Sequence, residues 1–228
     1  MKRLLAATLS LCFVAVCSAQ TSAPLNDPQA KDVGFPFKNI STLKPPPGAK
    51  VAVYEFEDME CPVCAHDNPV VRTAVAHYKL PFIRHDYPLT EIHIWSFDAA
   101  VTARYIQNSL SPVLAEQFRH DVFANQRRIL NKDDLTRFTR QWFDSHRQNL
   151  PFVLDATGDC RAQVRADRAL GDKLGIHGTP CLFVVTAQRW VLVMDVAQLN
   201  HTIDVALAET ARPALTPRRA AEAQHPGA

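Results

Sequence analysis

The sequence predicts an α/β fold with an all-helical insertion, and three observations lead there. Two segments rich in β-branched and aromatic residues, "KVAVYEF" at 50–56 and "LPFIRHDYPL" at 80–89, flank a stretch with apolar residues at helical spacing. About seventy residues of helical pattern follow without a further strand signal. Two apolar runs, "PCLFVV" and "WVLVMDV", then lie close enough to pair as a hairpin across "TAQR", ahead of a last amphipathic helix.

Each element has a local reason. Residues 20–48 read as an extended N-terminal arm, because Pro45, Pro46 and Pro47 favour extended backbone and cannot sit at a strand centre. One short edge strand is predicted near Phe35–Ile40. "KVAVYEF" reads as a buried central strand. Pro62 to His77 reads as a helix with Pro69 in its interior, and the next strand turns at Pro88. In the insertion, Ala99, Ala100, Ala103 and Ile106 follow Trp95 and Phe97 at helical spacing. Ser111-Pro112 is a helix start, a capping serine before a proline in the first turn. Asn131 caps the next helix, with Asp133 and Asp134 placed where the dipole favours acids, and Leu135, Phe138, Trp142 and Phe143 form its apolar face. A further helix runs from about Gly158 to Leu174 and stops at Gly175. "LNHTIDVALAETA" forms the last helix, and the tail from 213 to 228 is expected to be disordered.

The first residues indicate export. Lys2 and Arg3 precede the short apolar stretch Leu4–Val16, and Cys17-Ser18-Ala19 is a run of small residues suited to cleavage, the pattern of a signal peptide over 1–19. Removing Lys2 and Arg3 leaves 23 basic residues against 23 acidic ones, so the mature chain has no electrostatic case for nucleic acid or anionic lipid. Cys61, Cys64, Cys160 and Cys181 remain, too few to staple a chain of this length, and an exported chain sits where disulfides persist. Periplasmic or other exported localisation follows.

Two of those thiols are three residues apart in "EFEDMECPVC". Residue 65 is alanine where heme attachment requires histidine, and no second CxxC completes a zinc site, so redox use fits best. A strand runs into Cys61 and a helix begins behind it. The first thiol thus meets the unpaired N–H groups of a helix N-terminus, which stabilise a thiolate. Cys64, one turn in, is the more buried partner. That asymmetry suits an attacking thiol and a resolving thiol.

"EFEDMECPVC" followed far downstream by "LGIHGTPCLFVV" resembles the DsbA-like group of thioredoxin-fold thiol:disulfide oxidoreductases. Pro69 completes a similar "C-P-x-C-x4-P" spacing, and "RHDYPL" and "GTP" match as well. The resemblance covers roughly 49–210. It implies a thioredoxin-like fold, a central mixed sheet flanked by helices, with a thioredoxin-like domain at 49–90 and 160–212 and a helical insertion at 91–159. It implies a cis proline at Pro180 packed on the CxxC, and backbone groups of Thr179 offered to a client's extended chain. It also implies a buried acid at Glu55 that moves a proton to or from Cys64. On alternation Glu55 shares a face with Val51 and Val53, consistent with a buried carboxyl of raised pKa. Val63 departs from the strongly oxidising members, which carry histidine there, and so predicts a less extreme potential.

The catalytic set is therefore Cys61, Cys64, Glu55, Thr179 and Pro180, with no cofactor and no metal. The expected activity is oxidation of exported client proteins through mixed disulfides, with a membrane redox partner resetting the pair and a monomer as the working state. The alternatives are a disulfide reductase fed by a membrane electron donor, a metal (copper) carrier using the CxxC with His66, and a binding module whose disulfide is structural. Glu57, Asp58 and Glu60 either tune Cys61 or form a solvated acidic rim. Cys181, next to Pro180, is a candidate third redox participant. A Cys160–Cys181 disulfide is disfavoured, because about 14 helical residues hold the two ends roughly 20 Å apart.

Overall fold

The structure is a computed structural model that describes residues 37–211. The segment read as a signal peptide, the first part of the arm and the tail from Arg212 lie outside the described residues.

Four strands form one sheet in the order β2-β1-β3-β4. Strand β1 (Val51–Glu57) lies at its middle and is buried along its length apart from Tyr54, as its run of β-branched and aromatic residues dictates. It pairs in parallel with β2 (Phe82–Asp86) and antiparallel with β3 (Cys181–Thr186). Strand β3 continues into the hairpin strand β4 (Trp190–Leu192). The sheet is thus mixed. Helix α1 (Pro62–Tyr78) makes the crossover between the two parallel strands and runs through Pro69. Three insertion helices, α2 (Ser96–Ser109), α3 (Pro112–Asn125) and α4 (Lys132–Ser145), lie between β2 and α5 (Asp159–Leu174) in sequence, and α6 (Leu199–Ala211) closes the described chain.

The caps explain where these helices begin and end. Ser111 accepts the Leu114 N–H at 3.1 Å and Asn131 accepts the Asp134 N–H at 2.9 Å, each satisfying one unpaired donor of a first turn. Helix α5 stops at Gly175, whose φ of 78° is the left-handed conformation that ends helices.

Three apolar clusters divide the interior. Val51 and Val53 of β1 pack with Val71 and Ala74 of α1 and with Leu199 and Ile203 of α6. On the other face Phe56 packs with Tyr87, Leu174, Ile176 and Phe183. The third cluster joins the insertion to the end of the sheet: Trp95, Phe118, Trp142 and Phe143 surround Met59, Cys61 and Cys64.

One expectation fails. No strand forms within 37–40; Ile40–Thr42 is a 3-10 turn instead. Asn39 takes a left-handed φ of 56°, which breaks an extended run, and Ile40 and Leu43 turn inward into the Phe56 cluster. The Lys38 N–H reaches the Leu174 carbonyl at 2.8 Å, so this segment bonds to the end of α5.

Candidate active site

Strand β1 ends at Glu57, and a four-residue loop delivers Cys61 to the N-cap of α1 with extended backbone (φ −74°, ψ 122°). Pro62 at the first helical position costs no hydrogen bond there and presets the turn. Cys64 falls one turn in and is fully buried, whereas Cys61 keeps 6% of its surface. Both are free thiols, as are Cys160 and Cys181, so the structure is the reduced state of the pair.

The two thiols are pushed in opposite directions. The Cys64 thiol, donating to the Cys61 sulfur, holds the Cys61 pKa down at about 5 against a residual penalty from burial. The Cys64 and Val63 backbone N–H groups and the Thr179 side chain add to it. The Cys64 pKa is raised well above the ordinary thiol value, first by burial, then by its bond to Cys61, by the Cys61 charge and by Glu55. At neutral pH one thiol is therefore a thiolate and its neighbour holds a proton.

Glu55 lies on the β1 face turned to α1 and is 1% exposed. Burial, then the negative charge of Glu57, pushes its pKa up to about 8, and its Oε2 has no hydrogen-bond partner. Asn68 is also buried with its side-chain amide unpartnered; it stands one turn beyond Cys64 on the buried stripe of α1. Thr179 reaches the site from the loop before β3: its carbonyl oxygen is 3.3 Å from Cys61 Sγ, and the Thr179–Pro180 peptide bond is cis. Thr179, Pro180 and Cys181 line a cleft of ≈ 370 Å³ with Ile176, Leu192 and the exposed Met194. Cys61, Cys64 and Thr179 are thus brought together, and the Glu55 charge adds to what raises the Cys64 pKa.

The acids around Cys61 form no solvated rim. Glu57, Asp58 and Glu60 each have a fixed structural use. Glu57 is 2% exposed and accepts from Arg84 at 3.0 Å and from Arg119 at 2.8 Å. Asp58 is 1% exposed and accepts the Glu60 and Leu89 N–H groups, each at 2.7 Å, and contacts His93 Nδ1 at 2.8 Å. Glu60 accepts the Trp95 N–H at 2.7 Å. Desolvation is affordable there because each carboxylate has donors.

Cys181 belongs to the Phe56–Phe183 cluster, whereas Cys61 and Cys64 belong to the insertion cluster. Burial pushes its thiol up to about 12, so it holds its proton at neutral pH. Cys160 is packed in the insertion cluster at the start of α5 and makes no disulfide with Cys181. His66 is exposed beside Asp67. Among the described residues no group of three or more His, Cys, Asp or Glu side chains could hold a metal ion. Nor is any described helix long and apolar enough to cross a membrane.

Gln126 gave no sequence signal. It is the residue at which α3 gives way to a 3-10 turn, and its Nε2 lies 3.0 Å from both the Met59 and the Cys61 carbonyl oxygens. No motif marks it, because its partners are 65 and 67 residues away.

A mixed four-stranded sheet, a dithiol on the helix behind its central strand and a proline loop facing that dithiol define a thioredoxin-like protein with an all-helical insertion. The sequence matches the thioredoxin family model over residues 46–204, most of its length, and the chain belongs to that family. No curated protein matches it. Among solved structures it is similar to ScsC of Proteus mirabilis in a transitional conformation, with 20% identity and a TM-score of 0.57 over 71% of this chain and 69% of that one. It is similar to a periplasmic thioredoxin-like protein from Salmonella enterica serovar Typhimurium, at 19% identity and a TM-score of 0.56 over 70% and 85%. It is also similar to the oxidoreductase NmDsbA1 from N. meningitidis, at 17% identity and a TM-score of 0.52 over 73% and 88%.

Proposed function

We propose that the protein is an exported thiol:disulfide oxidoreductase that oxidises client thiols through a Cys61–Cys64 disulfide. The observation that carries this reading is the opposed pair of thiols, Cys61 held down at about 5 and Cys64 held well up. A client thiolate attacks Cys61 Sγ of the disulfide. The S–S bond breaks, Cys61 carries the mixed disulfide, and Cys64 leaves with the electron pair. Glu55, protonated below about pH 8, supplies the proton that Cys64 requires. A second client thiolate then attacks the client sulfur of the mixed disulfide and expels Cys61 as its thiolate. Two electrons have moved from client to protein, and a membrane redox partner removes them.

A stabilised Cys61 thiolate favours the reduced protein, which makes the disulfide an oxidant. A value near 5 lies between the ~7 of a reducing thioredoxin and the ~3.5 of a strong oxidant, in keeping with Val63 in the histidine position. The half-buried Thr179 backbone and the apolar cleft beside Pro180 suit an extended client segment. The names of the Salmonella and meningococcal neighbours, a periplasmic thioredoxin-like protein and an oxidoreductase, support both compartment and chemistry. We assign 1–19 to the signal peptide, 49–90 with 160–212 to the chemistry and 91–159 to the insertion, in a protein that works as a monomer.

The test is covalent. Cys64→Ser should accumulate mixed disulfides with clients on Cys61, and Cys61→Ser should accumulate almost none. Adducts on the Cys61→Ser protein instead would reverse the assignment. Equilibration with glutathione sets the direction: a potential near ~−120 mV supports the oxidase, and one near ~−270 mV the reductase.

A further inference from the structure

The loop that carries Cys61 is tied down from both sides. From its own side, the Cys61 N–H donates to the Asp58 carbonyl at 3.1 Å, and the Asp58 carboxylate accepts the Glu60 N–H. From the insertion there are two ties. The Glu60 carboxylate accepts the Trp95 N–H, and Gln126 Nε2 donates to the Met59 and Cys61 carbonyls, each at 3.0 Å. A side-chain amide nitrogen has two hydrogens, and here each has an acceptor. Those carbonyls bracket Glu60 and Cys61. Phe123 and Ile129, on either side of Gln126, are buried in the same cluster as Met59 and Cys61, so the amide is held by packed core.

We propose that Gln126 is a positioning residue for Cys61: it fixes the loop so that the sulfur stands over the first N–H groups of α1. The insertion thereby acts on the reactive thiol through the backbone of its loop. The N–H groups of Val63 and Cys64 favour the thiolate only while Sγ stays within their reach. Without Gln126 the Met59 carbonyl loses this donor in a buried setting, and the loop has a reason to turn toward water. The consequence for turnover rests on the oxidoreductase reading; the effect on the thiol does not.

The test is the pH profile of Cys61 alkylation by iodoacetamide in the reduced full-length protein, read by mass spectrometry, with circular dichroism to verify the fold. Q126M keeps the side-chain length and removes both donors. Q126A, which adds no bulk to the loop, serves where Q126M does not fold. The expected result is an apparent Cys61 pKa raised by about one unit, so that alkylation below the midpoint falls about tenfold. A folded variant whose profile superimposes on the parent's overturns the inference. The assay needs no client. A parent that alkylates as described but fails to oxidise a dithiol peptide sinks the oxidoreductase reading and leaves this one standing.

Discussion

Glu55 and Glu57 stand two residues apart on the same face of β1, and both are almost wholly buried. Both feel the charge of Arg84, but only Glu57 is hydrogen-bonded to it. Glu57 lies against the guanidinium groups of Arg84 and Arg119, and Arg119 also holds Asp86 at 2.6 Å. Asp86 in turn accepts from Arg104 at 2.6 Å, and Arg104 and His85 share Asp167. Glu55 lies beside the thiols, with one oxygen unpartnered and the Asn68 amide unpartnered as well. The same side chain on the same strand face thus serves two ends. Paired with arginines it is a structural anchor between sheet and insertion. Unpaired, it is pushed up to about 8 by burial. What a buried carboxyl does is decided by the donors that other segments bring to it.

The largest effect should come from breaking the paired side. Burial disfavours the Arg119 charge, but Asp86 and Glu57 more than offset this, and its pKa is raised. Asp86 is lowered for the complementary reason: burial opposes its charge and Arg119 with Arg104 outweighs that. Arg119→Met leaves two buried carboxylates short of a partner and is expected to cost about 3–5 kcal/mol in guanidinium denaturation. Adding Glu57→Gln and Asp86→Asn to Arg119→Met should recover part of the loss. A single variant within about 1 kcal/mol of the parent would show that the network contributes little.

The next effect comes from the unpaired side and depends on pH. The folded pKa of Glu55, about 8, lies above its ordinary 4.5, so folding favours the protonated form. Its contribution to stability is fully present below about pH 4.5 and is lost as pH rises through about 8. Glu55→Gln removes that loss. The variant should match the parent in urea denaturation near pH 4 and exceed it by about 2–4 kcal/mol near pH 9, less than the full shift implies, since water reaches a charge as it forms. Turnover should lose its dependence on a group titrating near pH 8. A stability difference that is flat with pH would mean that Glu55 is no proton carrier.

Much of this was legible in the sequence, and the omissions have one cause. Strands and helices follow from local pattern, and Ser111, Asn131 and Gly175 mark helix ends by chemistry internal to one turn. Cys61 and Cys64 identify themselves by spacing and by the helix behind them. The fate of the acids next to Cys61 was not legible. Their donors come from elsewhere: Arg84 and Arg119 are 27 and 62 residues from Glu57, and His93 is 35 from Asp58. The arm misled for the same reason, since the segment predicted as an edge strand bonds to the end of α5 and buries Ile40. Gln126 is the extreme case, an unremarkable residue whose two carbonyl partners become visible only in the fold.

The smallest expected effect isolates one atom of the unpaired side. Thr179 presents two groups to this region. Its carbonyl lies 3.3 Å from Cys61 Sγ, and its buried hydroxyl is a donor that lowers the Cys61 pKa. The carbonyl accepts from a protonated thiol and gains nothing from a thiolate, whereas the hydroxyl is a donor that suits only the thiolate. The hydroxyl ranks behind the Cys64 thiol and the Cys64 N–H in lowering the Cys61 pKa. Thr179→Val keeps the shape and the carbonyl and removes the hydroxyl alone. The Cys61 pKa should therefore rise by only about 0.3–0.5 unit, a two- to threefold loss of thiolate below its midpoint. Stability of the reduced protein near neutral pH should fall by less than about 1 kcal/mol, the small cost that the same shift implies. Alkylation rates between about pH 4 and 7 and a thermal melt measure both. A rise of a full unit or more would make the Thr179 hydroxyl, rather than the Cys64 thiol, the principal group holding Cys61 in its reactive form.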